Sequence, residues 1–510
     1  MYRLFLLTTF KLVILTMEKL FIYNTLSRTK EEFKAISPPF LGMYVCGPTV
    51  YSDVHLGNCR TFMSFDIIYR YLSHIGYKVR YVRNITDAGH LENDGDVGED
   101  KISKKAKLAQ LEPMEIVQTY TVGFRDVMNL FNALPPSIEP TATGHIIEQQ
   151  EITKQIIANG LAYEHNGTVY FDVDKYAKSN NYTILTNRKL EELLENTRDL
   201  DGQDEKRSRL DFALWIKAKP EHLMKWPSPW GVGFPGWHIE CSAMSTKYLG
   251  EQFDIHGGGM DLQATHHTNE IAQNIAYCGK SPANYWLHTN MLTVNGQKMS
   301  KSLGNSFLPL ELFTGNHPLL NKGFTPMAVR FFMMQTHYRS TLDFSNDALE
   351  AAEKAYHKLM DSYKTLQTLT ASGSSSEDVK AIERSCYDAM NDDFNTPVLI
   401  SKLFDAIRLI NSANDNSAGS ATKKATVTKE DIALLQSIYQ NFVFDVMGLK
   451  KEEETGKANT ALEQVMNLVL DLRAKAKANK DFATSDEIRN KLTEAHIQIK
   501  DGKEGVTWSI

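Results

Sequence analysis

Apolar positions along this chain follow two periods that alternate. Met43 to Val45 is a short apolar run that enters Cys46-Gly47-Pro48-Thr49 and ends at His55-Leu56-Gly57-Asn58; the glycines, proline and asparagine predict a loop. Phe62, Phe65, Ile68, Tyr69 and Leu72 then recur at three- and four-residue spacing, which predicts a helix. Tyr77 to Thr86 is rich in valine, tyrosine and isoleucine and predicts a strand. Strand, loop, helix, strand is a βαβ unit, and its repetition predicts an α/β parallel sheet.

Residues from about 115 to 235 interrupt the alternation. They read as largely helical, with strand-like Gly-Thr-Val-Tyr-Phe-Asp-Val at 167–173, and so as an insertion between two halves of the sheet. The second half resumes at Pro235 to Met244. It continues as a strand into the glycines at 257–259, a helix from about Thr265, and the apolar segment Tyr285 to Val294. A lysine-bearing loop follows at Gly296 to Ser306. After Asp343 the pattern becomes helical, with polar interruptions at Ser372 to Glu377 and Asn411 to Glu430; the second is of low complexity. The expected division is 1–16, an extension ahead of a domain opening at Met17; 17–343, the sheet domain; 344–450, a helical bundle; and 451–510, a terminal helical subdomain.

Composition narrows the class. The chain has 510 residues, 42% hydrophobic and 23% charged, with a net charge of −6. That excludes a generally disordered chain and a basic coat for nucleic acid, so any nucleic-acid surface must be local. The five cysteines are dispersed, with no paired spacing, which fits a reducing compartment better than a disulfide framework. The apolar stretch 1–16 is broken by Arg3 and Lys11 and is short for a membrane span, which takes about 20 apolar residues.

Two elements carry phosphate chemistry. His55-Leu56-Gly57-Asn58 stands between a strand and a helix start, where backbone N–H groups and the helix dipole favour anions; Gly57 permits close approach, and His55 and Asn58 offer donors. By itself this also describes a capped helix start. Lys298-Met299-Ser300-Lys301-Ser302 places two lysines where charge builds on a leaving pyrophosphate.

A third element is a donor set. His266 and Glu270 are four apart, hence on one helix face. With the thiols of Cys46 and Cys241 they can complete a tetrahedral Zn²⁺ site. Spacing leaves the alternative open, because each cysteine can equally be a small core hydrophobe.

The first two elements, in this order, resemble the two signatures of class I aminoacyl-tRNA synthetases. The second match is complete. In the first, Leu56 stands for the usual isoleucine and Asn58 for the usual second histidine, and asparagine still offers a hydrogen-bond donor. The segments at 43–62, 81–87, 235–244, 253–262, 266–273, 296–305 and 393–397 together resemble the cysteinyl-tRNA synthetase family from Met17 to Ile510; 260–265 departs from its usual sequence but keeps His266 and Glu270. The resemblance implies a Rossmann-like catalytic domain with an inserted connective region that meets the tRNA acceptor end, then a C-terminal helical anticodon-binding region. It implies one Zn²⁺ per chain, held in the amino-acid pocket by Cys46, Cys241, His266 and Glu270. The substrates would be ATP with Mg²⁺, L-cysteine and tRNA(Cys), in a cytoplasmic monomer away from membranes.

By the same resemblance Trp237, His238 and His256 line the pocket, Trp237 covers the substrate, and Thr86 touches the amino acid. His55, Asn58, Lys298 and Lys301 are the expected catalytic residues, with Gly57, His55 and Lys301 binding ATP. Zinc would separate cysteine from its near-isostere serine, which a plain pocket discriminates weakly, so no editing domain is demanded. On the last predicted helix Phe482, Asp486 and Arg489 share a face and could read a splayed anticodon base, although a solvated amphipathic face accounts for them too. Two rivals stand. A ligase joining cysteine to a sugar amine would share the first sites without needing residues 350–510. A non-catalytic zinc- and RNA-binding module would not need His55, Lys298 and Lys301.

Overall fold

The computed structural model describes residues 19–92, 98–188, 205–300, 303–415, 425–451, 455–479, 481–494, 497–502 and 505–509. The extension at 1–16 lies outside them, as do Lys301 and Ser302.

The predicted parallel sheet is present. Its four strands lie in the order Ala283–Thr289, Phe253–Gly259, Phe40–Val45, Lys78–Arg83, and every neighbouring pair is parallel. Leu41, Met43, Tyr44 and Val45 are all buried, because helices cover both faces; this is why the strand reads as a continuous apolar run. The chain builds first to one side of Phe40–Val45 and then to the other. The order therefore reverses between Phe40–Val45 and Phe253–Gly259, and the crevice beyond their carboxyl ends is where such sheets bind ligands. Cys46 and the 257–259 glycines stand at that crevice.

The helix expected around Phe62 to Leu72 spans Leu56–His74 and is capped by His55. The insertion differs from expectation. Besides the helices Pro113–Leu130 and Ile146–Ala158, it holds a four-stranded antiparallel sheet of Ala162–His165, Thr168–Phe171, Phe212–Lys217 and Gly233–Pro235. The strand-like stretch at 167–173 is one of them; Phe212–Lys217 and Gly233–Pro235 are short and buried almost throughout, so no apolar–polar alternation marks them as strands in the sequence.

After Leu342–Phe344 the chain is helical: Asn346–Thr368, Val379–Asn391, Thr396–Asn414 and Lys429–Ile438. Their starts are written locally, by side-chain caps from Ser345, Asp378, Asn395 and Thr428. One apolar core runs from Leu41 and Phe65 through Phe331 and Leu349 to Leu403 and Val446, joining these helices to the sheet region. Residues 451–510 form a separate compact unit. It contains helices Thr455–Ala478 and Phe482–Glu494 and the hairpin Gln498–Gly502 with Gly505–Ser509. No helix among the described residues is long and apolar enough to cross a membrane.

A buried ion pair ties the signature helix to this core. The Asp66 carboxylate accepts from Arg330 Nη2 at 2.5 Å, Arg70 Nε at 2.8 Å and the Leu134 amide at 2.7 Å. Arg330 also donates to the carbonyls of Met447 (2.7 Å) and Phe131 (2.9 Å). Removing one partner of such a pair strands the other charge in the core and costs about 3–5 kcal/mol. Asp66→Ala is expected to lower the unfolding free energy by that amount, read from the midpoint and slope of a urea melt.

Candidate metal and nucleotide site

Four chain segments converge on the crevice. Cys46 follows the central strand, and its amide donates to the Gly257 carbonyl at 3.0 Å. Cys241 lies in the helix Trp237–Leu249. His266 sits in the π-turn Gln263–His267, and Glu270 in the helix Thr268–Cys278 that continues it. A widened turn of this kind occurs frequently at functional sites.

The donor atoms of Cys46, Cys241, His266 and Glu270 all lie within 4.8 Å of one another, and all four residues are buried. Bonds of about 2.3 Å to sulfur and about 2.0–2.1 Å to nitrogen or oxygen imply tetrahedral edges of about 3.8 Å for S–S, 3.6 Å for S–O and 3.3 Å for N–O. The structure shows Cys46 Sγ to Cys241 Sγ at 3.7 Å, Cys46 Sγ to Glu270 Oε1 at 3.7 Å and His266 Nε2 to Glu270 Oε1 at 3.3 Å. The set fits Zn²⁺.

A second set, Cys46, His256, His267 and Glu270, overlaps it. Its His256 Nε2 to Glu270 Oε2 separation is 2.8 Å, a hydrogen-bond length too short for a tetrahedral edge. His256 also stacks on Trp286, with centroids 4.3 Å apart, and so supports Glu270 from behind. His267 is bonded through Nδ1 to His288 Nε2 at 2.8 Å, and His288 Nδ1 to Thr25 Oγ1 at 2.9 Å.

Burial sets the charge state of this cluster. It pushes the Cys46 thiol well above its ordinary range and Cys241 up to about 12, and holds His266 and His267 well below theirs. Without a cation the thiols stay protonated and the imidazoles neutral. A divalent ion reverses the balance for sulfur by pairing with the thiolate.

A cavity of about 470 Å³ joins this cluster to the phosphate elements; Cys46 and Trp237 line it together with His55, Asn58, Met299 and Ser300. His55 caps its helix reciprocally: the Asn58 amide donates to His55 Nδ1, and the His55 amide donates to Asn58 Oδ1, both at 3.3 Å. Nδ1 is thus an acceptor, so the proton resides on Nε2. The Leu56 amide is engaged too, by the Phe307 carbonyl at 3.0 Å. The cradle therefore offers side-chain donors more than open helix amides. A Cβ at Gly57 would stand 3.1 Å from His55 Nδ1 and 3.2 Å from Met299 Cε, so glycine here lets the lysine loop close on the helix start.

Other expected residues fall elsewhere. Thr86 is buried away from the cavity lining and donates to Glu240 Oε1 at 2.5 Å. His238 stands behind His266, their Nδ1 atoms 3.0 Å apart. Lys298 is exposed on the short strand Gln297–Lys298. Phe482, Asp486 and Arg489 share the helix Phe482–Glu494 and are all exposed.

Sequence reasoning missed two braces. Asn305 Oδ1 accepts from the Ser300 amide at 2.8 Å and holds the lysine loop. Asn84 Oδ1 accepts from the Gly47 amide at 2.8 Å and holds the turn after Cys46. Asn84 and Asn305 lie in the segments 81–87 and 296–305 that carry the family resemblance, and that placement was the available signal.

The reversal-point site, the lysine loop and the inserted sheet define the class. Residues 32–354 match the family described as tRNA synthetases class I (C) catalytic domain, and 386–451 match a DALR domain. The methionyl-tRNA synthetase of Mycobacterium tuberculosis, solved with methionyl-adenylate, shares the fold with a TM-score of 0.55 at 14% identity, over 80% of this chain and 92% of that one. Among curated proteins, the cysteine–tRNA ligase of Porphyromonas gingivalis is 54% identical over 490 residues, covering 96% of this chain and 99% of that one. That of Parabacteroides distasonis is 56% identical over 490 residues, covering 96% and 98%. The chain belongs to the cysteine–tRNA ligase family.

Proposed function

We propose that this cavity activates L-cysteine with ATP and passes the cysteinyl group to the 3′ end of tRNA(Cys). The observation that carries the reading is that Cys46 and Trp237 share one cavity with His55, Asn58 and Met299. When bound by Cys46, Cys241, His266 and Glu270, Zn²⁺ supplies a soft Lewis acid that takes a thiolate in preference to a hydroxyl.

The chain's own residues do the rest. Trp237 walls the amino-acid pocket, while Thr86, His238 and His256 act through Glu240, His266 and Glu270. The cysteine carboxylate attacks the α-phosphorus of ATP, the α–β bridging bond breaks, and Mg²⁺-pyrophosphate leaves. The His55 ring, the Asn58 side-chain Nδ2–H₂ and Lys298 with Lys301 meet the charge that accumulates on the phosphates. In the second step a ribose hydroxyl of the terminal adenosine attacks the adenylate carbonyl carbon and AMP departs. Positioning and charge stabilisation suffice, without a covalent enzyme intermediate. At the other end of the chain, Phe482 stacks on an anticodon base while Asp486 and Arg489 bond its edge.

The test is ATP–pyrophosphate exchange and tRNA charging by purified protein. Cysteine-dependent exchange with charging of tRNA(Cys) is the expected result. Exchange without charging would point to another acceptor, such as a sugar amine, and absence of exchange would overturn the activation step.

A further inference from the structure

The indole of Trp237 is held from outside the metal cluster. His266 packs against it at a tilt of 43°, with centroids 4.6 Å apart. The His90 ring stacks on it as well, at 4.0 Å and 9° between planes, nearly parallel. His90 is itself fixed at both nitrogens. Lys101 Nζ lies 2.8 Å from Nε2 and Thr49 Oγ1 lies 2.7 Å from Nδ1. An ammonium only donates, so Nε2 accepts, and the ring proton sits on Nδ1 and points at Thr49.

The backbone makes the same connection. The Lys101 amide donates to the His90 carbonyl at 3.0 Å, so the two residues are joined by main chain and side chain. Gly89, at φ +79°, lies so close to the strand leading into Trp237 that a Cβ there would meet the Pro235 carbonyl oxygen at 2.6 Å. His90, Lys101 and Trp237 all line the same cavity.

We propose that His90 is a positioning residue for the amino-acid pocket: locked by Lys101 and Thr49, it sets the Trp237 indole as the wall against which cysteine is held. This rests on the functional reading above and names a residue through which that pocket is built. Because His90 acts through Trp237, its loss weakens cysteine binding and leaves the nucleotide cradle at His55 untouched.

The experiment is steady-state ATP–pyrophosphate exchange on zinc-loaded protein, with zinc content measured alongside. A lost aromatic stack is worth about 0.5–1.5 kcal/mol, so His90→Ala should raise KM for cysteine about two- to twelvefold while KM for ATP and zinc content hold. His90→Phe, which restores a stacking face, should recover most of that loss. Lys101→Met should raise KM for cysteine about threefold through the freed His90 ring, and it decides the matter if His90→Ala fails to fold. An unchanged KM for cysteine in these variants overturns the proposal. So does a rise in KM for ATP in Lys101→Met, which would assign that lysine to the nucleotide. Wild-type protein without cysteine-dependent exchange would sink the functional reading instead, and this inference with it.

Discussion

Cys241→Ser is expected to leave the protein folded, almost free of zinc and unable to activate cysteine. Cys241 is buried, and its sulfur forms a 3.7 Å edge with Cys46. Serine fits the space but offers a neutral hydroxyl where the ion needs a thiolate. Groups that merely support a metal ligand are worth about 10–100-fold, so loss of a ligand should cost about 10³-fold or more in cysteine-dependent exchange. Zinc measured by atomic absorption should fall from one per chain to background.

Chelation gives the same prediction a pH sign. Burial raises both thiol pKa values, so protons compete with the ion at neutral pH and below. Uptake releases those protons, and affinity rises with pH by up to about tenfold per unit for each proton displaced. Stripping by a chelator should therefore speed up as pH falls. Full activity in Cys241→Ser would refute the pocket assignment.

The second large effect is at His55. Its Nδ1 is committed to the Asn58 amide, so the ring proton sits on Nε2, and His55 lines the cavity. Removing one such donor to developing charge costs about 10²–10³-fold in rate. The cap itself is worth about 1 kcal/mol, too little to unfold the chain. His55→Ala should thus lower kcat for exchange by two to three orders of magnitude with zinc content unchanged. His55→Asn separates the two roles, since it keeps a capping acceptor but lacks the reach; its stability should recover and its rate should not. A His55→Ala enzyme as fast as wild type would place the phosphate cradle elsewhere.

The candidate site was legible unevenly. His266 and Glu270 could be paired from their spacing, since one helical turn brings them together; the π-turn at Gln263–His267 alters the path without separating them. Cys46 and Cys241 carried no such local mark, and spacing alone could not distinguish ligands from core residues. Thr86 shows the opposite failure. Its motif placed it near the amino acid, but its hydroxyl is spent on Glu240. In the insertion, Thr168–Phe171 could be read as a strand, whereas near-uniform burial of Phe212–Lys217 erased the two-residue period that would have announced its neighbour.

What the chain by itself determined was chemistry and local form: which side chains could bind phosphate or zinc, where helices begin, and that a parallel sheet runs through it. Caps and periodic apolar faces act within a few residues, so they can be read along the line. The tertiary structure decided which of two overlapping donor sets has tetrahedral edges, that Cys46 shares a cavity with His55 and Met299, and that His90 backs Trp237. Those facts depend on distances between segments 224 residues apart and more, set when the sheet reverses its order and draws the loops at its carboxyl ends together.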